Sequence, residues 1–158
     1  MANTQAMCTS FLGELMTATH NFGTAPVRAA TTADTFKAAL YLTTATINAS
    51  TTAYSATGEV SGTGYTAGGV AVTNATAPTA TNSSATAGTA YWTPSASITY
   101  TTVTLTTAFD TVLIYNSTQS NKAVSVHTFG SQTITAGTFT LTMPSNTTST
   151  ALLRLATT

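Results

Sequence analysis

The stretch "TFKAALYL", residues 35–42, decides the fold. Phe36, Ala38, Leu40 and Leu42 alternate with Lys37, Ala39 and Tyr41, the period of two that gives a half-buried β-strand. Upstream the period differs. Met7, Phe11, Leu12, Leu15 and Met16 recur at spacings of three and four, which predicts a short N-terminal amphipathic helix, weakened by Gly13 and ended at Asn21-Phe22-Gly23. Such a helix must pack on its own domain or on a neighbouring subunit. Downstream the strand signals continue. "GVAVTNA" (69–75) reads as a short strand and "TAPTATNSSATAG" (76–88) as an exposed loop or flexible hairpin tip. "SITYTTVTLTT" (97–107) is strand-like with a phase slip between Tyr100 and Val103 that predicts a bulge.

"TVLIYN" (111–116) is apolar throughout, as in a central strand, and the polar turn "STQSNK" returns it into "AVSVHTF" (123–129). In "QTITAGTFTLTM" (132–143) alternation on both sides of Ala136-Gly137 predicts a tight hairpin. "ALLRLA" (151–156) reads as an edge strand. The sum is an all-β chain: an antiparallel β-sandwich or jelly roll of about seven or eight strands behind a short helix. One domain over 1–158 is expected, with residues 1–22 as helix or arm and 33–158 as the β body.

Charged residues make up only 5% of the 158, against roughly a quarter in ordinary soluble domains. Four Lys and Arg balance four Asp and Glu, so no basic patch is available for nucleic acid or an anionic membrane. Thr, Ala and Ser stand in for the missing charge. Threonine suits strands and keeps an exposed face wet, yet a neutral surface has little repulsion to keep copies apart. That fits a protein covered in an assembly; a Thr/Ala bias from a GC-rich coding sequence is the alternative source. The segment "MANTQAMCTSFLGELM" lacks a basic signal-peptide region, so synthesis in a cytoplasm, followed by solution or assembly there, is expected.

Few groups here could do chemistry. The two histidines have no triad spacing: His127 reads as a surface residue beside Ser125, opposite Val124 and Val126, and His20 as a helix-end residue. Asp34, Glu59 and Asp110 read as turn formers, and the lone Cys8 as a buried small hydrophobe. No catalytic, cofactor-binding or metal-ligating set is expected. "GEVSGTGYTAGG" (58–69) holds half of the chain's ten glycines, but it has neither the lysine of a phosphate loop nor a helix after it. It reads as a connection in which glycines permit close approach to another backbone, within the domain or across a subunit contact, with Tyr65 packed there. Tyr54, Tyr65, Tyr91 and Trp92, in or beside irregular segments, are candidate interface anchors, with core packing the competing assignment.

The run "ADTFKAALYLTTATINASTTAYSATGEVSGTGYTAGGVAVTNAT", followed by "AFDTVLIYNSTQSNKAVSVHTFGSQTITAGTFTLTMPS", resembles a small family of tailed-bacteriophage virion structural proteins. "TFKAALY", "STTAY", "GEVSGTGYTAGG" and "LIYN" carry the likeness over most of the chain. The resemblance implies a capsid cement or decoration protein that binds the major capsid protein in many copies and stabilises the shell. Binding to such a symmetric lattice at the capsid surface would make it a homo-oligomer, a trimer at threefold positions by capsid geometry rather than by any residue here. A minor tail or head-fibre component and a host-surface or carbohydrate-binding module are the alternatives. It supplies no catalytic residues.

Overall fold

A computed structural model describes residues 3–8, 11, 15, 19, 20, 22, 33–73, 78–81 and 88–156. Eight strands are assigned among them: β1 (Ala6–Met7), β2 (Phe36–Leu42), β3 (Val70–Val72), β4 (Thr79–Thr81), β5 (Thr89–Trp92), β6 (Ile98–Asn116), β7 (Lys122–Leu141) and β8 (Leu153–Ala156). They form two antiparallel sheets, one of five strands in the order β1-β7-β6-β2-β3 and one of three in the order β4-β5-β8. One cluster of buried side chains includes Phe36, Leu40 and Leu113 of the larger sheet with Trp92 and Leu153 of the smaller. Most of the expected N-terminal helix lies outside the described residues. Met7, placed on its apolar face from the sequence, is instead in β1, opposite Ser125. Phe11 is buried in the core and Leu15 packs against it.

The strand expected at 35–42 is β2, but it is more than half-buried: Ala39 and Tyr41 are as enclosed as Phe36, Ala38 and Leu40. The cause is its central place between β6 and the β3 edge, with packing on both faces. The stretches expected at 97–107 and 111–116 fall in one strand, β6, which begins at Ile98, and the slip foreseen after Tyr100 is present. Tyr100 faces Phe139 while Val103 faces Gly137, so β6 carries an extra residue there. Thr102 lies in this bulge with φ 53°, a left-handed conformation that a β-branched residue rarely adopts.

The predicted hairpin at Ala136-Gly137 is not formed. The chain runs straight on through these residues within β7, although Ala136 has φ 46°. Val103 faces Gly137 and Leu105 faces Ile134, so the pair makes a bulge opposite β6 rather than a reversal. The reversal occurs at 117–121, where Ser120 and Asn121 have φ near 52° and 58°. A local hairpin would have left the first half of β6 without a partner for its backbone groups, and the long β6–β7 pairing avoids that. In the smaller sheet, β4 and β5 are the two arms of a hairpin, with Thr81 opposite Thr89; its tip lies outside the described residues. β8, expected as an edge strand, pairs only with β5 among the described residues.

The glycine-rich stretch crosses the sheet closely, as its composition implied. Thr63 bridges to Thr104, and a Cβ on Gly62 would run into the Thr104 carbonyl oxygen. Gly69 has φ +72°, and a Cβ there would overlap the Ala38 carbonyl. The contact is within the domain. Gly69→Ala, which adds left-handed strain to a backbone collision, is expected to cost about 3 kcal/mol or more in chemical denaturation. Gly130→Ala, where nothing lies within 4 Å of the new methyl, is expected to change stability by less than about 0.5 kcal/mol.

Candidate functional site

Five of the six tyrosines fix the segment 53–69 onto the larger sheet. The outer edge of β2 is covered by two separate pieces. β3 pairs with Phe36–Ala38, while the Val60 amide donates to the Leu40 carbonyl and the Leu42 amide donates to Gly58. Between these pieces the ladder has a gap at the Leu40 amide, just past the last β2–β3 pair, Ala38 with Val70. A side chain fills it: the Leu40 amide donates to the Tyr65 hydroxyl (3.0 Å), and beside it the Tyr100 hydroxyl donates to the Ala38 oxygen (2.8 Å). Tyr65 in turn donates to Glu59 Oε1 (2.7 Å), which also accepts the Gly68 amide (2.8 Å), and Tyr54 donates to Oε2 (2.6 Å). Tyr41 donates to the Ser55 carbonyl and Tyr115 to that of Gly68.

The rings stack in pairs, Tyr54 on Tyr115 at 4.8 Å and Tyr65 on Tyr100 at 5.9 Å. Burial, and then the hydrogen bond to the Glu59 carboxylate, push the Tyr54 phenol up to about 12. The same two causes raise Tyr65, and burial is the main cause for Tyr41 and Tyr100. All five hydroxyls are therefore neutral donors across the physiological range, matched to carbonyl and carboxylate acceptors. Glu59 is thus more than a turn former. It sits five residues after Tyr54 and six before Tyr65, a spacing that no helical or strand period marks.

The four candidate anchors separate into two groups. Tyr54 and Tyr65 are half-buried, with their hydroxyls engaged by Glu59. Trp92 is enclosed by its own chain, 2% exposed and 4.8 Å from Phe22, so core packing rather than a free loop position describes it. Tyr91, half-buried, joins Trp92, Phe11, Leu15 and Leu155 around an apolar groove of about 220 Å³.

The remaining titratable groups divide between buried networks and one cleft. Asp34, read as a turn former, is 4% exposed; it accepts Asn116 Nδ2 (2.8 Å) and Gln119 Nε2 (3.2 Å) and so holds the β6–β7 turn. Asn116 Nδ2 also lies 3.0 Å from His20 Nδ1, joining His20 to this network in a contact that the sequence spacing concealed. Asp110 accepts Asn3 Nδ2 and the Thr111 hydroxyl.

His127 is not a surface residue. Ser125 is 1% exposed and His127 is half-buried, because the 144–152 segment and the smaller sheet lie over the face that alternation alone assigned to solvent. Ser125 Oγ lies 2.9 Å from His127 Nε2 at the floor of a cleft of about 660 Å³, walled by β1, β8 and the 144–152 segment. Desolvation lowers the His127 pKa to about 4, so the imidazole is neutral at pH 7. A serine nucleophile activated by histidine needs a carboxylate or equivalent group to orient the ring. The cleft is lined by no acidic residue among those described, and its one charged group is Arg154. Nor do three or more His, Cys, Asp or Glu side chains gather as a metal site among the described residues. What the arrangement offers is hydrogen bonding and shape.

Comparisons with protein-family models, with curated proteins and with solved structures find no match to this chain.

Two outcomes test these assignments. Tyr65→Phe leaves the Leu40 amide and one Glu59 oxygen short of a partner and is expected to cost about 2 kcal/mol in urea denaturation, whereas Tyr91→Phe stays within about 0.5 kcal/mol. For His127 the native pKa lies below the unfolded value of 6.5. The unfolded chain therefore binds more protons between pH 6.5 and pH 4, and stability falls as pH falls through that window. Relative to His127→Gln, the wild type is expected to lose up to about 3 kcal/mol between pH 7 and pH 4, measured by denaturation at each pH.

Proposed function

We propose that the chain is a non-enzymatic structural protein of a tailed-bacteriophage virion: a capsid cement or decoration protein whose two sheets form a sandwich bound to the major capsid protein lattice at the capsid surface. The observation that carries this reading is how the reactive groups are used. Each described acid, Asp34, Glu59 and Asp110, is engaged in hydrogen bonds that hold loops or turns of its own fold. Hydroxyls serve where charges normally would, and the exposed positions of β7 from Gly130 to Thr140 carry no ionisable side chain. A shell component has to be rigid and contact-ready, and it has no use for free acid–base pairs.

The resemblance in residues 33–76 and 108–145 supplies the particle. Oligomer formation, a trimer at threefold positions, follows from lattice symmetry. A carbohydrate-binding module gains less support. Its usual platform is an exposed aromatic face, and Trp92 is buried while Tyr54 and Tyr65 are turned inward.

In purified virions the protein is expected in copy numbers comparable to the major capsid protein, read from stained gels. Particles lacking it are expected to release DNA at a lower temperature on a heating ramp. A handful of copies per particle, with unchanged heat release, would move the protein to the tail and overturn the cement assignment.

A further inference from the structure

The cleft between the sheets has features that the structural role does not use. One wall is β8, which pairs with β5 on one side and with no described strand on the other. A strand edge of this kind presents backbone N–H and C=O groups to whatever lies beside it. The opposite wall is β1 with the Ser125–His127 floor, and the 144–152 segment closes one end. At about 660 Å³ the space has the size of a site for a short peptide rather than for a few waters. Its polar lining is hydroxyls, the Gln5 carboxamide, one neutral imidazole and one charge, Arg154.

Arg154 is exposed, and one guanidinium nitrogen, Nη1, is already held by the Thr148 and Ser149 carbonyls. That anchoring fixes the side chain while its remaining N–H groups stay available to an acceptor. The described acids of this chain cannot supply that acceptor, since Asp34, Glu59 and Asp110 are committed elsewhere. We propose that the cleft is a docking site for an extended acidic segment of a different protein, which adds a strand to the β8 edge and places a carboxylate on Arg154.

The two other open features are weaker. The long outer edge of β7 beyond Val126 is broken by bulges: Thr111 faces Thr128 but Phe109 faces Gln132, and a second break falls at Ile134–Gly137. Bulged edges resist strand addition. The apolar groove beside Tyr91 has no polar lining to choose a partner. The β8 cleft combines an unpaired edge with charge complementarity, the pairing of main-chain affinity and side-chain selection that strand addition uses.

The test uses a fluorescein-labelled, acetylated hexapeptide of alternating valine and threonine with one central aspartate, beside its asparagine analogue. Fluorescence anisotropy with the full chain is expected to show the aspartate peptide binding about tenfold more tightly than the asparagine peptide. Arg154→Ala, at an exposed position, is expected to abolish that preference while leaving the weaker asparagine peptide unchanged. Amide chemical shifts should move along 153–156 and at 125–127. Equal affinity for the two peptides, or an aspartate preference that survives Arg154→Ala, overturns the site. So does a shift pattern confined to β7 beyond Val126, or no binding at millimolar peptide. None of these outcomes depends on whether the protein belongs to a phage particle.

Discussion

The structure depends on how the outer edge of β2 is completed. A central strand cannot leave an amide unpaired beside a buried face, because that would cost about 1–3 kcal/mol. β2 meets β3 over Phe36–Ala38 and the 58–60 segment over Leu40–Leu42, and neither offers an acceptor to the Leu40 amide. The Tyr65 hydroxyl closes the break, and Tyr100 adds a further donor at the Ala38 carbonyl. Tyr65 can do so because its O–H donates to Glu59, which leaves the oxygen lone pairs for the Leu40 amide. A single carboxylate thereby orients the ring that completes the ladder, and through Gly68 and Tyr54 it also fixes both ends of the loop. The close crossings at Gly62 and Gly69 follow: the loop has to lie almost on the sheet for those hydroxyls to reach it.

Scarcity of charge shapes the rest. With eight formally charged side chains other than histidine in 158 residues, the chain has few ion pairs to draw on, and β7 carries no charge beyond Lys122 at its start. Long neutral strands are prone to edge pairing. β6 and β7, at 19 and 20 residues, would be exposed to that hazard. Their ribbon is instead interrupted several times, with Thr102 and Ala136 held at positive φ and the Ala136 amide donating to the Thr104 hydroxyl. Conformational strain at two residues takes the place that lysines or prolines occupy on other edges.

Much of this was legible in the sequence because local patterns determine it. Alternation marks β2, the apolar run marks the end of β6, the phase slip marks the bulge after Tyr100, and glycine density marks the close crossing. What the sequence concealed comes from pairing at a distance. Ala136-Gly137 satisfies every local rule for a hairpin, yet β6 offers partners for the whole of β7 and the turn residues become a bulge. Alternation correctly put Ser125 and His127 on one face, but it does not say that a second sheet lies over that face. Glu59 gives no local signal at all, since its partners are selected by the fold. The same holds for His20, which meets Asn116 from 96 positions away.

Where such a protein meets a partner is constrained by what its fold leaves open. The ribbon edge is broken by bulges. Tyr54 and Tyr65 are turned inward by Glu59, and Trp92 is absorbed into the core with Phe22 and Phe36. With Tyr54, Tyr65 and Trp92 committed to the fold, what remains open is the apolar groove beside Tyr91, the backbone of the β8 edge and the few charges not used internally. Arg154 differs from the described acids in this respect: its contacts to two carbonyls of its own chain hold the side chain in place without neutralising it. It stands on an edge strand beside a cleft whose imidazole is kept neutral by burial, so among the described residues its positive charge is the only one lining that cleft. In a nearly uncharged molecule, one fixed cation beside an open strand edge is enough to select both the orientation and the sign of what binds.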